Sequence, residues 1–240
     1  ATIHGTKKHL GFLRAFDRVI TVSRRAGESL GGIPHTVIWN AILASERPDR
    51  PADLSTFPFL DQGQPVFASV GRLVEEKAFD VLLRALREVE GYLWIIGDGV
   101  LRAPLEKLAG ELSLSDRVWF AGFRSDVPLL MSLADILVIS SRREGFPLVL
   151  VESLHLHRPV VGTRVAGVEE ILPAEWSCEP ENPPALAALM RKTANQIGSL
   201  EKEFAPIYEL AAQELQLDKA ALKIEAVYRE MSEATSRVAR

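Results

Sequence analysis

Cysteine is nearly absent from this chain. Its 240 residues contain one, Cys178, so an internal disulfide and a cysteine-based zinc site are both excluded. No apolar run approaches the roughly 20 residues that a membrane-crossing helix needs. The N-terminus lacks the basic-then-apolar pattern of a secretory leader. An excess of positive charge is also missing. The 28 Lys and Arg against 32 Asp and Glu leave a net charge of -4, which gives nucleic acid no electrostatic footprint. There is no internal repeat and no low-complexity tract. What remains is an ordinary globular composition, 47% hydrophobic and 25% charged, with enough residues for a sizeable core. A reducing, cytoplasmic setting fits it. An initiator Met is lacking too, and Ala1-Thr2-Ile3-His4-Gly5 reads as the end of a strand. A partial chain is the expectation.

Short β-branched runs alternate with helical stripes, the signature of an α/β fold with a parallel sheet flanked by helices. Strands are predicted at 18–22, 35–39, 66–70, 92–96, 117–120, 136–139 and 159–161. Helices are predicted from about Arg24, along Phe79, Leu82, Leu83, Leu86 and Val89, to about Leu112, around 127–133, after Pro147, around 168–172 and through most of the chain beyond Asn182. Between Ala44 and Pro65 the text turns to Pro, Asp, Ser and Gln and reads as a linker. In the last segment Leu217, Ala221, Ile224, Tyr228 and Met231 form an apolar stripe, predicted to dock on the protein's own body.

Open parallel sheets bind ligands at the carboxyl ends of their strands, so the polar outliers there are the candidates. After strand 66–70 come Gly71, Arg72 and Lys77. Two cations beside a helix N-terminus are disfavoured unless an anion joins them, and a diphosphate would. The alternative pairs them with Glu75 and Glu76 as surface ion pairs. After strand 92–96 come Gly97 and Gly99, which allow close backbone approach to a ligand or form an ordinary turn. Phe123, after strand 117–120, either covers a flat base or belongs to the core.

The richest stretch is Ser141-Arg142-Arg143-Glu144-Gly145-Phe146-Pro147-Leu148-Val149-Leu150-Val151-Glu152. Glu144 sits at the mouth of a strand-to-helix loop, and Pro147 is suited to the first helical position. Glu144 could simply pair with Arg142 or Arg143. Glu152 falls in an otherwise apolar helix, on the face of Leu148 and Leu156. Burying an unpaired carboxylate costs several kcal/mol, so Glu152 needs a polar partner, from the protein or from a ligand. Sugar or ribose hydroxyls suit a fixed carboxylate acceptor.

Gly71-Arg72-Leu73-x-x-Glu76-Lys77, Val118-x-Phe120-x-Gly122, Glu144-Gly145-Phe146-Pro147 with Glu152, and Pro159-Val160-Val161 with Gly167 and Glu169 occur in one order. In this they closely resemble the family-4 retaining glycosyltransferases of the GT-B fold, from about Ile3 to the final helix. The resemblance implies a Rossmann-like nucleotide-sugar-binding domain over 65–205. A tail of the acceptor-side N-terminal domain would precede it over 1–42, with a linker over 43–64 and C-terminal helices over 206–240. It implies that Arg72 and Lys77 bind the diphosphate of a sugar nucleotide, UDP or GDP, and assist its departure without a metal or other cofactor. Glu152 would accept from the ribose, Glu144 would position sugar hydroxyls, and Phe123 would meet the base. Gly71, Gly97 and Gly99 would lie along the same pocket, with backbone amides of Gly145, Phe146 and Leu148 beside Pro147 facing sugar and phosphate. His4 resembles a histidine that contacts the donor sugar. The implied acceptor is a surface glycan or lipid-linked glycan in polysaccharide or lipopolysaccharide assembly, with peripheral contact to the inner face of the membrane through the absent part of the N-terminal domain. Ala78 and His157 stand where the family often has Gly. Two other expectations are a sugar-nucleotide-binding module without turnover and a GT-B epimerase, the latter disfavoured by the Glu144-to-Glu152 arrangement.

Overall fold

The computed structural model describes residues 1–4, 11–43, 48–51 and 53–238. Gly5 and linker residues 44–47 and 52 lie outside the described residues, as do 239–240.

The first segment carries a small parallel sheet, β1 (Thr2–Ile3), β2 (Ile20–Thr21) and β3 (Thr36–Val37), in that order. Its strands are shorter than the apolar runs predicted, with two residue pairs in each ladder. Helix α1 (Arg24–Glu28) follows β2, and the Ser23 hydroxyl caps it by accepting from the Ala26 amide at 3.1 Å.

The regular alternation then starts. It runs β4 (Val66–Val70), α2 (Phe79–Leu86), β5 (Tyr92–Ile96), α3 (Arg102–Glu111), β6 (Val118–Gly122), α4 (Val127–Leu133), β7 (Ile136–Ile139), α5 (Leu148–His155), β8 (Val160–Thr163), α6 (Val168–Ile171) and β9 (Ser177–Cys178). Helices α7 (Pro183–Asn195), α8 (Ile197–Glu214) and α9 (Leu217–Val238) complete the chain. The second sheet has six strands in the order β6-β5-β4-β7-β8-β9, all parallel. Sheets with helices on both faces bury their central strands completely, which is why β5 and β7 read as unbroken apolar runs. Trp94 in β5 is fully buried, and its indole N–H donates to the Pro58 carbonyl at 2.9 Å, so the polar atom of a large core side chain is satisfied. In β4 the buried Ser69 hydroxyl likewise donates to the Val138 carbonyl at 2.7 Å.

This strand order places the site. From β4 the chain moves outward through β5 and β6, then returns to the other side of β4 to lay down β7, β8 and β9. Strands β4 and β7 are thus neighbours, in register through Phe67 with Ile136 and Ala68 with Leu137. The direction of winding reverses between them, and the loops leaving their carboxyl ends diverge to open a crevice.

Helix α9 docks on the first segment, though on a face rotated from the predicted one. Ala220 and Val227 are buried against Ile38, with Met231 beside them, while Leu217 and Tyr228 of the predicted stripe are 50% and 63% exposed. Two adjacent apolar stripes share this helix, and periodicity alone does not choose between them.

Candidate functional site

The loop after β4 is fastened to the loop after β5. Gly71 N–H donates to the Ile96 carbonyl at 3.0 Å, and Leu73 N–H to the Asp98 carbonyl at 2.9 Å. A Cβ on Gly97, at φ +135°, would stand 2.0 Å from the Gly71 carbonyl oxygen, and one on Gly99 would stand 2.5 Å from that of Leu73. Both glycines therefore serve a close approach between two loops. This packing by itself requires glycine at both positions.

The same loop then forms a 3₁₀ turn over Glu75–Lys77, which the loop after β7 grips. The Ser140 hydroxyl donates to the Lys77 carbonyl at 2.8 Å, and the Arg142 amide to the Glu76 carbonyl at 2.7 Å. The Arg142 guanidinium forks onto Asp80 at 2.9 and 2.8 Å, reaches the Glu75 carbonyl at 2.6 Å and also pairs with Glu181. Burial alone would raise the Asp80 carboxyl, but the hydrogen bonds and charge of Arg142 outweigh it and hold it below its ordinary value.

Lys77 and Glu144 meet across the crevice. The ammonium lies 2.6 Å from Glu144 Oε1, and the buried Ser141 hydroxyl donates to that same oxygen at 2.6 Å. Both side chains are largely buried, 24% and 12% exposed, so this pair is less screened than a surface bridge. The simpler pairings expected from sequence do not form. Glu144 takes neither Arg142 nor Arg143, and Glu76 pairs with Arg143 at 3.5 Å instead of with Lys77. Arg72 is exposed and has no ion-pair partner among the described residues.

Arg72, Val74, Glu76, Lys77, Arg143, Glu144 and Gly145 line an open cleft of about 450 Å³ at this point. Arg72, Lys77, Glu144 and Gly145 are thereby brought together, as the sequence reading required. The other candidates do not line this cleft. His4 is exposed just beyond β1. Phe123 is 85% exposed beyond β6, which excludes the core alternative for it. Cavities of similar volume open elsewhere, such as that of about 460 Å³ between α2 and α7 lined by Arg84, Arg87 and Arg191, at a distance from the strand carboxyl ends.

Helix α5 forms the adjoining wall. Pro147 occupies its N-cap, one position before the predicted one, with φ -70° and ψ 124°. The amides of Gly145, Phe146 and Leu148 donate to no described residue, leaving donors free at the positive end of the helix. The helix buries Leu150, Val151, Ser153 and Leu154 and turns Leu148 and Glu152 to the opposite side. Leu148 is 49% exposed. The Glu152 carboxylate is half-buried and has neither a hydrogen bond nor an ion pair among the described residues. Burial pushes its carboxyl up from the ordinary value, with nothing to offset it.

Residues 54–204 match the family described as "Glycosyl transferases group 1", well over half of the chain. The chain belongs to this glycosyltransferase family. The lipopolysaccharide core biosynthesis glycosyltransferase LpsE of Rhizobium meliloti (strain 1021) is 43% identical over 104 residues, 43% of this chain and 31% of the relative. The alpha-D-kanosaminyltransferase of Streptomyces kanamyceticus is 28% identical over 244 residues, 95% of this chain and 62% of the relative. The chain thus spans less than two thirds of either relative. In fold it is similar to Anabaena Alr3699/HepE, crystallised with UDP and glucose, with a TM-score of 0.83 at 22% identity, covering 92% of this chain and 65% of that one. The architecture is that of the GT-B glycosyltransferases.

The two departures from the family's glycines acquire a physical meaning here. Ala78 sits at φ 52° and ψ 42°, and His157 at φ 52°, the left-handed region where glycine has no steric cost. The His157 ring stacks on Tyr208 with centroids 4.8 Å apart, a contact that glycine could not make. His155 instead turns its Nδ1 to the Val151 carbonyl at 2.9 Å.

Three supporting residues escaped the sequence reading. Asn40 donates to the Phe146 carbonyl at 2.9 Å, and Trp39 stacks on the Phe146 ring with centroids 6.1 Å apart. Glu170 accepts from the Trp39 indole and from the Arg24 amide, each at 2.8 Å. Phe146 is thus held from both sides, since a Cβ on Gly167 would stand 2.7 Å from its Cα. The available signal was Trp39-Asn40 following an apolar run, and Glu170 beside a glycine-led helix.

Proposed function

We propose that this chain forms the nucleotide-sugar side of a retaining glycosyltransferase that moves a hexosyl group from a nucleoside diphosphate to a glycan or lipid-linked acceptor. The observation that carries the reading is a set of unmatched groups around one crevice. Among the described residues, Arg72 is an unpaired cation, the amides at the α5 N-terminus have no acceptor, and Glu152 is a half-buried carboxylate without a donor. A sugar nucleotide supplies the complement of each: phosphate oxygens for the cation and amides, hydroxyls for the carboxylate.

In this reading Arg72 and Lys77 stabilise negative charge as it develops on the departing diphosphate. The bond from the sugar's anomeric carbon to phosphate oxygen breaks, and the bond to the acceptor oxygen forms on the same face. The acceptor proton passes to the leaving phosphate. Glu144 orients sugar hydroxyls, Glu152 holds the ribose, and exposed Phe123 covers the base. His4 belongs to the donor-sugar wall of the acceptor-side domain, of which residues 1–42 form part. Assembly of surface polysaccharide or lipopolysaccharide at the inner face of the membrane is the proposed setting.

Thermal melting with UDP, GDP and ADP tests the binding part. One of them raises the melting temperature by mass action. Arg72→Ala removes most of that shift, a loss of about 1.5–3 kcal/mol, or roughly ten- to a hundredfold in Kd. No shift with any of the three overturns the site. A second reading, nucleotide binding without turnover, is favoured by the partial coverage of the relatives. Glycosidic product formed by this chain alone rules it out.

A further inference from the structure

We propose that Glu144 sets the preference of the site for sugar-bearing nucleotide over bare nucleoside diphosphate. This rests on the sugar-nucleotide reading above and adds to it a role for charge.

The two oxygens of Glu144 have different surroundings. Oε1 is fixed by the Lys77 ammonium and the Ser141 hydroxyl, each at 2.6 Å, whereas Oε2 accepts from no described residue. The carboxylate is therefore held in place with one oxygen open. It lines the same cleft as Arg72 and Lys77, the two cations that attract a diphosphate. Any phosphate reaching Lys77 must share its ammonium with a fixed negative charge that is only 12% exposed.

The consequence differs between two ligands that share a diphosphate. A sugar nucleotide brings hydroxyl donors, and one of them satisfies Oε2. The bare diphosphate lacks the donor sugar and so brings no sugar hydroxyl to Oε2. Near pH 7 its terminal phosphate carries roughly one more negative charge than the sugar-esterified form, because a phosphate monoester has a second ionisation at about 6. Glu144 thus repels the bare form more and compensates the sugar-bearing form. Since the bare diphosphate is what remains after transfer, the same residue favours product release.

The experiment is calorimetric titration of wild type and Glu144→Gln with whichever pair binds, UDP and UDP-glucose or GDP and GDP-mannose. Gln is near-isosteric and keeps a carbonyl oxygen for Lys77 and Ser141, and melting without ligand checks the fold. The expected result is tighter binding of the bare diphosphate, by about three- to tenfold, with no gain for the sugar nucleotide. Glu144→Ala repeats the test, with the same sign for the bare form. Unchanged or weaker binding of the bare diphosphate overturns the proposal, and so does an equal gain for both ligands. Arg72→Ala separates this from the parent reading. It weakens both ligands if the site is correct, whatever Glu144 does. If neither pair binds wild type, both the reading and this proposal fall.

Discussion

The two walls of the crevice are built on opposite principles. On the β4–β7 wall nearly every charge has an internal partner: Arg142 with Asp80 and Glu181, Lys77 with Glu144, Arg143 with Glu76. On the α5 wall the carboxylate of Glu152 and the first amides of the helix have none among the described residues. Arg72 apart, the first wall is paired internally, and that pairing fixes the loop geometry. The second is the wall that the proposed function assigns to a ligand. The lowered Asp80 carboxyl and the raised Glu152 carboxyl report this difference as opposite displacements.

The largest effect is expected on the paired wall. Arg142→Ala removes hydrogen bonds to Asp80, Glu181 and the Glu75 carbonyl at once, and is expected to cost about 1–3 kcal/mol in chemical denaturation. Asp80→Asn isolates the titrating part. A depressed carboxyl contributes stability that is present above its unfolded value and lost as pH falls through its folded value. The variant therefore loses stability at neutral pH and converges with wild type in acid. Asp80 is 39% exposed, so solvent screening keeps this effect near the ~1 kcal/mol of a surface pair.

On the open wall, Glu152→Gln is expected to weaken nucleotide binding by about 1–2 kcal/mol, roughly five- to thirtyfold, while the unliganded protein melts no lower. Its raised carboxyl contributes stability that is present below the unfolded value and lost as pH rises through the folded one. The variant removes that loss. Unfolding with nucleotide affinity intact would mean that Glu152 is structural. The smallest effect expected is at Ala78, which is fully buried at positive φ. Ala78→Gly relieves the left-handed strain by up to ~1 kcal/mol, partly offset by glycine's greater entropy when unfolded. His157→Gly gains less, because it forfeits the Tyr208 stack.

What could be read from the sequence divides along physical lines. Strands β4, β5 and β7 were legible to the residue, because strands buried on both faces are unbroken apolar runs bounded by turns. Glu152 was legible as a residue in need of a partner, since a carboxylate among Leu and Val residues is costly wherever the helix packs. The partner of Glu144 was not. Local text offered Arg142 and Arg143, but the cation that reaches it is Lys77, 67 positions away, and only the adjacency of β4 and β7 brings the two together. Gly97 and Gly99 were legible as special, but their loop-to-loop packing was not, because a close approach has the same sequence signature whether the neighbour is a ligand or another loop. The docking face of α9 was missed by a fraction of a turn, because two adjacent apolar stripes share the helix and only the packed one buries Ala220 and Val227.

Glu152 has no partner among the described residues, and in the proposed function a ligand provides one. Its ionisation can be followed directly by the side-chain carboxyl carbon resonance across a pH titration, with and without the nucleoside diphosphate that shifts the melting temperature. Alone, the carboxyl should titrate above the ordinary glutamate range; with nucleotide bound, it should move down as hydroxyl donors favour the ionised form. A Glu152 titration that is unchanged by saturating nucleotide would contradict the account.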